Sequence, residues 1–217
     1  MIRYLFIKFL YFSCLAKFAI KFINNKCNIV SKKEDRLEEL NLKKELDAHN
    51  SILLHMHFSH YNKDIVKITK ELADNNKVCY VTLNKSYENL RQIFEKNNIK
   101  LENIKFIDAI TRTFKKVDDT EKCKFCSSPI AMTEISLKIN EILKENFDYL
   151  IFDSITSILM QEKNIALIKF ITDLENKSKN AKTKPVFLAL KVEDHDLFIQ
   201  KCCMITNHNI DLSNFRF

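Results

Sequence analysis

The sequence predicts an α/β protein with a mostly parallel central sheet and helices on both faces, in three layers. Three observations carry that expectation. Short apolar runs alternate with segments of helical period along most of the chain, the pattern of successive right-handed βαβ units. The stretch Phe147–Ser157, FDYLIFDSITS, places four apolar residues, Tyr149 to Phe152, directly before Asp153 and a string of hydroxyls. A short unbroken apolar run reads as a strand buried on both faces, as in a sheet covered by helices. Apolar and charged shares of 46% and 29% belong to a chain that can bury a core.

The elements follow in order. Residues 1–30 form a basic, hydrophobic segment of helical pattern ahead of an α/β body at 31–217. Within Met1–Ile23 the longest uncharged run, Phe9 to Ala16, is too short to span a bilayer as a helix. Four readings of this segment stay open: a peripheral membrane or partner-binding helix, a helix packed on the body, a spanning anchor, and an extension absent from the mature protein. Ser31–Ala48 reads as a charged surface helix with Leu37, Leu40, Leu42 and Leu46 near one face. Ser51–Phe58 is the first strand, and 62–74 a helix with Ile65, Ile68 and Leu72 at helical spacing. Val78–Leu83 is a strand, Glu88–Glu95 a helix, Ile104–Ala109 a strand and Thr111–Lys122 a polar connection. Cys123–Ser127 reads as a further strand ended by Pro129, with Ser127 or Ser128 capping the helix Ala131–Glu145. After the Tyr149–Phe152 strand come a helix at Ile165–Lys177, a strand at Pro185–Leu190, a helix at Asp194–Met204 and a strand at Ile210–Leu212.

Composition narrows the function classes. The chain of 217 residues contains no glycine, so asparagine must take the left-handed positions where segments end, as at Asn24-Asn25, Asn75-Asn76 and Asn97-Asn98. The net charge of +7 is concentrated in residues 1–30, which hold Arg3, Lys8, Lys17, Lys21 and Lys26 and no acid. The remainder has 30 basic against 28 acidic residues, a near-neutral body that argues against nucleic acid as partner. Seven cysteines without a framework spacing point to a reducing, cytoplasmic location, with membrane association resting on the N-terminal segment alone.

Asp153 sits at the carboxyl end of its strand, where open α/β sheets place their ligands. Two readings fit it: a carboxylate that organises Mg²⁺ beside a nucleotide, or an acid that leaves the core and caps the next segment. The segment order then decides the comparison. SILLHMHF as first strand, the strand-to-helix piece KVCYVTLNKSYENL, the CSSPIAMTEIS segment, FDYLIFDSITS and KPVFLALK together resemble the RecA superfamily of P-loop ATPases, most of all its KaiC-like archaeal members. The likeness covers about residues 45–213 and implies a RecA-like fold in which FDYLIFDSITS is the Walker B strand.

The departures from that family bear directly on function. Its phosphate loop, G-x-x-x-x-G-K-[ST], corresponds here to His57-Phe58-Ser59-His60-Tyr61-Asn62-Lys63-Asp64. The resemblance puts Lys63 where the phosphate-binding lysine belongs, Asp64 at the Mg²⁺-binding hydroxyl and Asp153 with Ser154 at Walker B. Both glycines are replaced, by His57 and Asn62, although the backbone of such a loop wraps phosphates in conformations that a Cβ obstructs. Asp64 would set a negative charge beside a polyanion, at a cost on the order of 4 kcal/mol per unit charge at about 4 Å; direct coordination of Mg²⁺ is its other use. The family's catalytic acids at the end of the second strand are replaced by Asn84-Lys85, neither of which is a general base.

Other constellations each have a simpler use as well. His55, His57 and His60 could hold Zn²⁺ as three imidazoles or be satisfied singly by neighbours. Cys123 and Cys126 form one C-x-x-C that reads as buried thiols, the alternative of a zinc site needing Cys202, Cys203 or His208 as well. Lys191, after KPVFLAL, either binds phosphate or pairs with Asp153. The expectation is therefore a catalytically inactive RecA/KaiC-like module without catalytic residues, metal or resident cofactor, acting in signalling, regulation or scaffolding through a protein partner or a second copy of itself. The alternatives are an ATP/Mg-binding switch with an unconventional phosphate loop and a recombination-type nucleic-acid binder.

Overall fold

The computed structural model describes residues 40–159, 164–191 and 196–212. The basic segment 1–30, with its membrane, partner and processing readings, lies outside the described residues. So does 31–39 of the helix expected at Ser31–Ala48. The described helix α1, Leu42–His49, begins only where the Asn41 side chain accepts a hydrogen bond from the Lys44 N–H. It ends where Asn50 turns left-handed at φ 62°.

The strands are β1 (Ile52–Met56), β2 (Val78–Thr82), β3 (Ile104–Asp108), β4 (Cys123–Phe125), β5 (Tyr149–Asp153), β6 (Lys184–Leu190) and β7 (His208–Asp211). Between them lie α2 (Tyr61–Ala73), α3 (Tyr87–Lys96), α4 (Met132–Leu143), α5 (Ile155–Leu159), α6 (Asn164–Asn180) and α7 (Asp196–Ile205). The seven strands form one sheet in the order β4-β3-β2-β5-β6-β1-β7, every neighbouring pair parallel. The three-layer α/β architecture expected from the alternation is the one observed.

Period-two alternation divides the core into two layers. Ile52, Leu54, Val78, Tyr80, Ile104, Phe106 and Ile151 pack with α1, α2 and α3 on one face. Leu53, Cys79, Val81, Ile107, Leu150, Phe152 and Phe187 pack with α4 through α7 on the other. Crossover direction accounts for the division. The connections β1–α2–β2 and β2–α3–β3 run one way along the sheet, whereas those from β4 to β5, β5 to β6 and β6 to β7 run back. Right-handed crossovers of opposite direction lay their helices on opposite faces. Beside β2 and β5 the chain therefore departs in opposite directions, which makes the gap between their carboxyl ends a topological switch point.

Some boundaries differ from expectation for local reasons. The first strand stops at Met56, because the His57 ring accepts from the Ser59 N–H and starts a 3₁₀ turn at Phe58–His60. The following helix starts at Tyr61, whose ring takes the same buried face as Ile65, Ile68 and Leu72. The fourth strand shortens to Cys123–Phe125, and the short helix α5 follows Asp153 after Ser154, ahead of the helix expected from Ile165. Ser127 does not cap α4; its N–H and hydroxyl both donate to Glu134, at 2.8 and 2.6 Å. The last strand is His208–Asp211, two residues earlier than its apolar core alone suggested. Among the described residues no helix is long and apolar enough to cross a membrane.

Asparagine does replace glycine at the turns. Asn50, Asn75, Asn98 and Asn146 all have φ near 60°, and Lys182 joins them at 58°. Because only the side chain opposes these conformations, Asn98→Ala is expected to lose about 1 kcal/mol and Asn98→Gly to lose nothing or gain slightly. Urea denaturation of the two variants checks this; equal losses in both would mean that the asparagine side chain, and not its backbone tolerance, holds the turn.

Candidate functional site

The switch point is built from β5, β2, the start of α2 and the chain after β2. Asp153 is the last residue of β5, level with Thr82 at the end of β2. Parity puts its carboxylate on the face covered by α2 and α3, and its exposure is 0%. A carboxylate there must be supplied with donors, because an unpaired buried charge is strongly unfavourable. Tyr61 Oη donates to Oδ2 at 2.6 Å and Tyr80 Oη to the same oxygen at 2.7 Å. Asn84 Nδ2 donates to Oδ1 at 2.9 Å.

Each donor is positioned by an element that the sequence specifies for other reasons. Tyr80 lies two residues before Thr82 on the same face of β2, the diagonal neighbour of Asp153 across the pair. Tyr61 opens α2, where the apolar period Tyr61, Ile65, Ile68, Leu72 turns its ring to the sheet. Asn84 is held by the turn after β2, in which Thr82 Oγ1 accepts from the Lys85 N–H and donates to the Lys85 carbonyl. The Leu83 N–H donates to the Asp153 carbonyl at 2.6 Å. Ser157 Oγ donates to Asn84 Oδ1, and Ser154 Oγ lies 3.3 Å from both Ser157 Oγ and Asn84 Nδ2. Lys85 closes the outside, its Nζ 5.3 Å from the centroid of the Tyr61 ring. The Asp153–Ser154 peptide is cis.

Burial pushes the Asp153 carboxyl above the ordinary carboxylate range, while Tyr61, Tyr80, Asn84 and the charge of Lys85 pull it down. Burial first, then the Asp153 charge, raises both phenols. The cluster therefore holds its protons on the tyrosines and offers no base to solvent. Mg²⁺ held through its water shell needs an open carboxylate edge. Here that edge is occupied by two phenols and an amide.

The residues singled out from sequence separate into two places. Asp153 and Ser154 are fully buried at the switch point, and Asn84 and Lys85, read as the lost catalytic acids, are its cover. Asp64 is 7% exposed on the inner side of α2; burial raises its carboxyl and His60, Lys67 and Lys63 lower it. Lys63 instead is exposed and lines a cleft of about 650 Å³ between α2 and α3, with Lys67, Lys70, Ile93 and Lys96. Asn62, which left-handed backbone would have suited to a phosphate loop, is the second residue of α2 and helical. No residue from His57 to Asn62 has positive φ, so this backbone lacks the alternation of right- and left-handed residues that forms an anion-binding nest.

The remaining candidates have ordinary partners. His57 Nδ1 is 2.7 Å from Ser59 Oγ, and His55 Nε2 lies 3.7 Å from Cys203 Sγ, so the three histidines of this stretch do not meet at one point. Cys123, Cys126 and Cys202 are free, buried thiols; burial pushes Cys126 and Cys202 up to about 12. Lys85 is a cation acting on Asp153, and Lys191 is exposed with its N–H donated to the Met56 carbonyl. Sequence reading also missed Asp108 at the end of β3. It is fully buried and accepts from the N–H groups of Tyr87, Ile110 and Thr111 and from the Thr111 hydroxyl. That carboxylate organises the loops after β2 and β3, the use first considered as an alternative for Asp153.

No protein-family profile matches the chain, and no curated protein matches it. Among solved structures, an uncharacterized protein from Pyrococcus horikoshii in complex with an unknown peptide is similar in fold, with a TM-score of 0.58. The identity is 11%, and the match covers 77% of this chain and 82% of that one. At this identity the likeness is one of fold.

Two outcomes test the cluster. Tyr61→Phe and Tyr80→Phe should each lose about 1–3 kcal/mol in urea denaturation, since each removes a donor to a buried charge. The second outcome concerns pH. With the folded pKa of Asp153 above its unfolded value of about 4, the folded chain binds more protons between the two values. The stability contributed by this group is therefore full below the unfolded pKa and is lost as pH rises through the folded one. Asp153→Asn should remove that part of the pH–stability slope; an unchanged slope would place the titration elsewhere.

Proposed function

We propose that the chain is a non-hydrolysing RecA/KaiC-like module that acts through protein contact. The observation carrying this reading is the use of Asp153: the one acid that matches the family's Mg²⁺-organising position spends its acceptor capacity on Tyr61, Tyr80 and Asn84. The helical course of Tyr61–Asp64 supports it, because this backbone has none of the left-handed residues with which a phosphate loop wraps its ligand. Asn84 and Lys85 support it as well, since both serve as cover for the carboxylate rather than as activators of water.

The carboxyl edge of the sheet is the face on which contact is expected. Its loops present the apolar side chains Phe58, 73% exposed, and Phe114, 69% exposed. Aromatic side chains of this kind are the usual anchors of a protein interface. The peptide held by the Pyrococcus horikoshii protein of similar fold is consistent with such a use of the architecture. Partner protein, second copy and membrane-bound partner all remain within this reading, with residues 1–30 as an additional attachment.

Calorimetry of Mg-ATP against the full chain tests the proposal. The expected result is no saturable heat up to millimolar nucleotide, and no change for Asp153→Asn or Lys63→Ala. Micromolar binding lost in both variants would make the protein a nucleotide switch and overturn the proposal.

A further inference from the structure

At the opposite, amino-terminal edge of the sheet, α1 and β7 bring three metal-type donors together. Glu45 and His49 are four residues apart on α1 and so share one face of that helix. His208 is the first residue of β7 and pairs in register with Ile52, the first residue of β1. The backbone between these two anchors is fixed. Asn50 turns the chain left-handed after His49, and Ser51 then ties it to the start of β7. Its hydroxyl donates to Asn207 Oδ1 at 2.8 Å and accepts from the Asn207 N–H at 3.0 Å, while its carbonyl accepts from the His208 N–H at 3.1 Å.

The side chains converge as a result. Glu45 Oε2 lies 3.7 Å from His49 Nε2 and 3.6 Å from His208 Nε2, and all three ligand atoms fall within 4.8 Å of one another. The imidazole rings are stacked, with centroids 4.1 Å apart and planes 13° from parallel. Among the described residues this is the group of three or more such donors that meets. The geometry points to a zinc-class metal site formed by Glu45, His49 and His208, with water in the remaining coordination position. A tetrahedral ion with bonds of about 2.0–2.1 Å sets its ligand atoms about 3.3–3.4 Å apart, close to the two Glu45 separations. Parallel rings aim their lone pairs in parallel, so binding requires one imidazole to tilt about its Cβ–Cγ bond. Both rings are partly exposed.

Two imidazoles and one carboxylate favour Zn²⁺ over Mg²⁺ or Ca²⁺, which take all-oxygen sets. The ion would clip α1 to β7, the strand at the edge of the sheet. This inference does not depend on the proposed function, because the site lies at the other end of the strands from Asp153.

The experiment is titration of the metal-free full chain with Zn²⁺ and with Co²⁺, alongside His49→Ala, His208→Ala and Glu45→Gln. One equivalent of Zn²⁺ should bind the native chain and raise its melting temperature, with affinity about tenfold or more weaker in each histidine variant. The Co²⁺ adduct should show visible d–d absorption without the thiolate charge-transfer band that cysteine ligands give. This spectrum is read on the native chain and so does not depend on the variants folding. A thiolate band, or Zn²⁺ affinity unchanged in His49→Ala and His208→Ala, would overturn the inference and leave the histidines as a stacked pair alone.

Discussion

The need to satisfy one buried negative charge governs the carboxyl edge of this sheet. Asp153 reaches the end of a fully buried strand with its carboxylate turned toward α2 and without exposure to water. Left without donors, such a group would destabilise the fold by several kcal/mol. The chain answers with two phenols and an amide from three different segments, so the same hydrogen bonds that keep Asp153 inside also tie α2, β2 and the following turn to β5. Packing and site chemistry are coupled here. Opening the carboxylate to a hydrated ion would move Tyr61, which is 9% exposed, out of the core layer beneath α2.

The same arrangement separates fold from activity. A parallel sheet whose strand connections diverge beside Asp153 provides a place for a ligand, but the carboxylate there is taken by Tyr61, Tyr80 and Asn84. Lys63 faces the cleft between α2 and α3, while Asp153 is sealed beneath Tyr61 and Lys85. At the surface, Phe58 and Phe114 are exposed on the carboxyl edge, and Glu45, His49 and His208 converge at the amino edge.

Most of the fold was legible in the sequence because strand and helix periods are local. The alternation of apolar runs predicted the parallel sheet, and the absence of glycine predicted left-handed asparagines at Asn75 and Asn98. The site was legible only in part. Asp153 could be placed from its strand, yet Tyr61 and Tyr80 read as ordinary core residues, and nothing local announces that a phenol will meet a carboxylate 92 or 73 positions away. One signal was available: Tyr61 stands four residues before Ile65 in the apolar period of α2, which already puts Lys63 off the buried face. Matching the segment to a phosphate loop hid that periodicity. The Glu45, His49 and His208 cluster needed the tertiary pairing of β1 with β7 and had no sequence signature.

Nuclear magnetic resonance of the tyrosine hydroxyl protons, in the chain labelled at tyrosine, tests the central claim most directly. Phenols sealed against a buried carboxylate exchange slowly with water. Two slowly exchanging hydroxyl protons, assigned to Tyr61 and Tyr80 and unmoved by Mg-ATP, are the predicted result. Rapid exchange of both, or loss of the Tyr61 signal when Mg-ATP is added, would show that Asp153 is open to ligand and would contradict the account.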